Sequence, residues 1–171
     1  MPVTVTNYGN VAARAAELGC RFPGGIALLP ANFLTARNAA ELRYHEAVTS
    51  VREAWRSIGL IDAGSECESP QLSPGGRASA GQPVSLTVLF GSGLLSRGAE
   101  IVTLALGMVA AVLTERPGNS ADSRNVRFDA IVERQGSSGY TCLEYSGDAF
   151  ELVALAKPVW ESWAGLRALD D

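Results

Sequence analysis

A chain of 171 residues with 47% hydrophobic and 19% charged side chains has enough apolar material for a single core and does not have the composition of a disordered segment. Its formal net charge of −4, with 14 basic residues scattered along it, argues against nucleic acid as a partner, because phosphate binding needs clustered Lys and Arg. The three cysteines, Cys20, Cys67 and Cys142, are odd in number, far apart and without a CxxC pair, so neither a disulfide framework nor a zinc ribbon is expected and a reduced, cytoplasmic setting fits.

Val3 to Tyr8 is β-branched and alternating, the pattern of a first strand. Asn10 can cap a short helix to Leu18, with Val11, Ala15 and Leu18 on one face, and Gly19 stops it. After the Pro23-Gly24-Gly25 turn, Ile26 to Leu29 is apolar without alternation, as in a strand covered on both faces. The first thirty residues therefore read as a parallel β-α-β unit. The start MPVTVTNYGN lacks the basic and apolar runs of a signal peptide.

A helix is predicted from Asn38 to Ile58. Its stripe is Leu42, His45, Val48, Val51, Trp55 and Ile58, its charges fall away from that stripe, and Gly59 is the stop. Ile61 to Pro83 is rich in Gly, Pro and Ser, and reads as a flexible segment over 63–83 that separates two halves of one domain spanning 1–171.

Val84 to Phe90 alternates apolar with Ser85 and Thr87, and reads as a strand. Gly91-Ser92-Gly93 breaks it, and a helix is predicted from about Arg97 to Glu115, apolar nearly all round from Ile101 to Leu113. The uncharged run from Ile101 to Thr114 falls short of the roughly 20 residues a membrane span needs, so no span is expected. Val126 to Glu133 and Tyr140 to Tyr145 read as a hairpin. Asp148 with Glu151 has the form of a capping box before a last helix with Leu152, Leu155, Val159 and Trp163 inward, which Pro158 should kink or split. The order β-α-β-α-loop-β-α-β-β-α gives an α+β or three-layer α/β fold, a mixed sheet with helices on its faces.

Chemical candidates are few. Gly91, Ser92 and Gly93 sit between strand and helix, where backbone amides can hold an anion. The turn lacks the Lys of a P-loop, the GxGxxG spacing (the next glycine is Gly98) and the GxSxG of a nucleophile elbow. His45, the only histidine, opens an HE pair, but Thr49 stands where HExxH needs its second histidine. A Cys20–His45 dyad is chemically conceivable, with a half-buried structural histidine as the plainer reading. Glu133 and Glu144 could face each other across the hairpin with Asp129 beside them, a carboxylate set for acid–base work or a cation, or simply a solvated sheet face. No cofactor and no metal set is expected.

From Val84 to Trp163, the order apolar strand, Gly91-Ser92-Gly93 turn, Ala/Leu/Val helix, hairpin and capped helix resembles the small effector-associated adaptor domains of bacterial conflict and defence systems. The likeness stops in the turn at Leu94 and does not extend to residues 1–83. It implies a non-catalytic adaptor. The residues themselves point the same way, since the helix around Val109 and Val112 is more apolar than one sheet face requires, and Trp160 and Trp163 could join it in an interface. The expected function is a cytoplasmic interaction module acting by homo-oligomerisation or partner docking. The alternative is a small-anion or nucleotide-binding protein or enzyme that uses the glycine turn.

Overall fold

The computed structural model describes residues 3–8, 11–17, 25–29, 43–44, 47–60, 71–72, 84–114, 125–134 and 139–164. Its frame is a mixed five-stranded sheet made by β1 (Val3–Tyr8), β2 (Ile26–Leu29), β5 (Val84–Phe90), β6 (Asn125–Glu133) and β7 (Tyr140–Asp148), in the order β1-β7-β6-β5-β2. Only β5 and β6 run parallel, joined over one face by α3 (Ser92–Leu95) and α4 (Ala99–Thr114). The other neighbours are antiparallel. Helices packed on a mixed sheet make this an α+β fold. Among the described residues, no helix is long and apolar enough to cross a membrane.

Alternation decides which side of each strand is inside. Leu86, Val88 and Phe90 of β5, Val126, Phe128, Ala130 and Val132 of β6, and Leu143 and Tyr145 of β7 all join one core cluster. On α4, Val102, Ala105, Leu106, Val109, Ala110 and Leu113 are buried at three- and four-residue steps. The helix is apolar all round, yet it buries only this stripe in its own chain.

Helix α2 (Ala47–Ser57) lies against α4, with Val48, Val51 and Trp55 buried in the same cluster. It ends as its sequence asks. Gly59 takes φ +84, the Leu60 amide donates to the Trp55 carbonyl and the Gly59 amide to that of Arg56. That pair of bonds closes a helix on a left-handed glycine, and Leu60 follows Trp55 into the core. The helix starts later than the sequence suggests. Arg43–Tyr44 (β3) is extended and pairs in parallel with Gln71–Leu72 (β4), inside the segment read as flexible. Residues 61–70 and 73–83 lie outside the described residues.

The parallel β-α-β reading of the first thirty residues is overturned. β1 and β2 lie on opposite edges of the sheet and run in opposite directions, β1 against β7 and β2 against β5. β1 is followed by α1 (Val11–Glu17). The unbroken apolar run of β2 arises because all four of its residues are buried although it is an edge strand. The helix expected from about Arg97 forms as α4, beginning just after Gly98, which at φ +113 separates it from the short α3.

At the far end, the Asp148 side chain accepts from the Phe150 amide at 2.9 Å and caps a 3₁₀ segment (Ala149–Leu155) that leads into α5 (Ala156–Ala164). Pro158 falls in the first turn of α5, where its missing N–H costs nothing. Glu151 does not complete the capping box; it faces the Tyr145 hydroxyl, which donates to the Asp148 carbonyl at 2.8 Å. A Cβ at Gly147, still within β7, would sit 2.7 Å from that hydroxyl, so a side chain there would displace the Tyr145 ring from its place.

Candidate functional site

At the glycine turn two amides are answered from within the chain. The Gly91 amide donates to the Gly25 carbonyl and the Ser92 amide to Glu133 Oε1 at 2.7 Å. Glu133 reaches the turn because Val132 pairs with Phe90 in the parallel β5–β6 ladder, which sets Glu133 beside Gly91. The helix that follows, α3, is four residues long. An external anion would compete with a carboxylate already built in.

Three acidic or thiol ligand atoms converge on the sheet face opposite the main core. In the β6–β7 register Asp129 pairs with Glu144 and Ile131 with Cys142, so Asp129, Glu144 and Cys142 all project to that face. One ligand atom from each lies within 4.8 Å of the others. Cys142 is a free thiol, 5% exposed, whereas Asp129 and Glu144 are half-buried. One oxygen of Asp129, Oδ1, is sealed from solvent and has no hydrogen-bond partner among the described residues. Among the described residues a counter-charge comes from Arg127 Nη2, 3.9 Å from Glu144 Oε1, on a side chain 61% exposed.

These positions disturb two proton equilibria. Burial raises the Asp129 pKa, the Glu144 charge raises it further, and Arg127 opposes both. Burial also pushes the Cys142 thiol up to about 12, with Asp129 and then Glu144 adding to the rise, while a hydrogen bond from Thr6 on the neighbouring β1 and the Arg127 charge pull it down.

The carboxylate pair anticipated across the hairpin was Glu133 with Glu144. The register puts Tyr140 opposite Glu133 and hands Glu144 to Asp129. The signal was present in the sequence: once Tyr140 starts the return strand opposite Glu133, counting back along both strands gives Asp129 against Glu144. Cys142 stands beside them, a placement that disulfide and CxxC spacing do not reveal and the same count along the hairpin does. Cys20, His45 and Cys67 lie outside the described residues, and with them the conceivable Cys20–His45 dyad.

The interface residues divide. Val109 is fully buried in the chain's own core and Trp163 is buried, so neither offers a surface. Val112 and Trp160 are half-buried, and Trp160 meets Trp163 at a ring separation of 6.0 Å. The apolar surface lies elsewhere: Leu104 on α4 is 52% exposed, Phe150 on the 3₁₀ segment 59% and Val153 37%. Val153 Cγ2 lies 4.0 Å from the place a Cβ would take on Gly107, one turn along α4 from Leu104. Leu104, Gly107 and Val153 thus make a continuous strip, and Ala111 extends it.

No family model, no curated protein and no solved structure matches this chain.

Proposed function

We propose that this chain is a non-catalytic interaction module that works by self-association, and that the exposed face of α4 with the 3₁₀ segment is where a second copy sits. The observation that carries this is the composition of that face. After Glu100, α4 has no charged residue up to Thr114, and Leu104, Phe150 and Val153 leave large apolar side chains in water beside the small Gly107 and Ala111. An exposed, contiguous apolar strip marks an interaction surface. Two chains of net charge −4 repel, and they approach most cheaply through an uncharged face. Gly107 lets a facing helix come close, which suits the self-complementary contact of a two-fold dimer.

The resemblance of residues 84–163 to defence-system adaptors supports the further reading of a cytoplasmic adaptor in such a system. Native mass spectrometry tests the core of the proposal. Whole multiples of the 17.9 kDa chain are expected, with Leu104→Glu leaving a folded monomer. A wild-type monomer at tens of micromolar would overturn it, and a monomer carrying an extra few hundred daltons would favour the anion-binding alternative.

A further inference from the structure

We propose that Asp129, Cys142 and Glu144 form a binding site for a thiophilic divalent cation of the zinc class, with water completing the coordination. This rests on a different face of the molecule from the proposed dimer contact and is independent of it.

Three arguments support it. The first is geometric. Rigid neighbouring strands, locked by the Asp129–Glu144 and Ile131–Cys142 register, deliver one sulfur and two carboxylates to one point within 4.8 Å of each other. Zinc bonds of about 2.0–2.3 Å at tetrahedral angles place ligand atoms roughly 3.4–3.6 Å apart, a contraction that small side-chain rotations supply. The second is the state of the groups without a cation. Asp129 Oδ1 is sealed from solvent with no donor among the described residues, and Cys142 beside it is only 5% exposed. A buried anionic oxygen lacking a donor is a costly arrangement that a bound cation relieves. Arg127 relieves it only in part, being mostly solvated and directed at Glu144.

The third is ligand chemistry. Calcium and magnesium take all-oxygen shells, whereas a thiolate among carboxylates selects zinc and its neighbours. Binding replaces the thiol proton with the metal, and the proton leaves to solvent. Three protein ligands leave a position for water, and the half-buried Asp129 and Glu144 keep that position within reach of solvent.

Cobalt(II) is the probe. The full chain, reduced and stripped with a chelator, is titrated with Co²⁺ while thiolate-to-cobalt charge-transfer absorption is followed. One equivalent should generate the band and Zn²⁺ should bleach it. Cys142→Ser should abolish the band, and the paired change Cys20→Ser with Cys67→Ser should keep it. Asp129→Asn and Glu144→Gln should each weaken cobalt binding by more than the about 10- to 100-fold that loss of an outer-sphere partner costs. Circular dichroism checks the fold of each variant, and the half-exposed, isosteric Glu144→Gln keeps the test valid should Cys142→Ser unfold. No band in the wild type at stoichiometric cobalt, or a band that survives Cys142→Ser, overturns the proposal.

Discussion

The indole N–H of Trp55 donates to the carbonyl oxygen of Ala105 at 3.1 Å, inside the core and fifty residues further along the chain. It ties the last turn of α2 to the middle of α4 and satisfies the one polar atom of a ring that is fully buried. Trp55→Phe should keep most of the packing and lose this bond. A loss of about 1–3 kcal/mol is expected, from the bond and a small cavity together. Urea unfolding should show it as a lower midpoint at unchanged slope.

Two glutamates on one helix should behave oppositely. Val109→Glu places a carboxylate in the closed core and should unfold the chain or cost several kcal/mol. Leu104→Glu stands in water and should leave far-UV circular dichroism and thermal midpoint near those of the wild type. Equal damage from both would mean that Leu104 is covered even in the single chain.

Glu133 secures the turn after β5 through the Ser92 amide. Glu133→Ala removes a partly buried, charge-assisted acceptor and should cost about 1–2 kcal/mol. Hydrogen exchange locates the effect: the Ser92 amide should lose protection, whereas amides in the middle of β6 should lose no more than the global change requires.

Asp129 gives the metal-free chain a pH dependence with a definite sign. Its folded pKa is raised, so its contribution to stability is fully present below the unfolded value near 3.8 and is lost as pH rises through the folded value. Asp129→Asn should therefore stabilise the chelator-treated protein at pH 7, and the gain should vanish in acid. Denaturant midpoints for both proteins across that range are the measurement. A gain that persists unchanged in acid would assign it to shape instead of charge.

Local structure was legible in the residues and assembly was not. Val84–Phe90 and Val126–Glu133 announce themselves by period-two alternation. The stop at Gly59 and the cap at Asp148 follow from the backbone freedom of glycine and the acceptor of aspartate. These are near-neighbour effects. Partner choice between strands is not: the residues of β1 fit an edge beside β2 as well as an edge beside β7, and only the assembled sheet decides. The same limit hid the surface of α4. A helix with apolar residues all round declares no buried side, so its sequence fits Val109 facing outward as well as it fits Leu104 there. In the metal site, the carboxylates were visible, and the missing step was a count along the hairpin.

The placement of β1 has a consequence in time. Its partners are the last strand of the sheet to be synthesised, Val3 meeting Tyr145 and Tyr8 meeting Tyr140. At about 5–20 residues per second, the first strand made stays without its ladder for many seconds while the rest emerges. β5, α4 and β6 need only near neighbours and can assemble meanwhile, so closing the β1 edge is the slow, long-range step. Thr6, which reaches Cys142 from β1, arrives at its place only with that final closure.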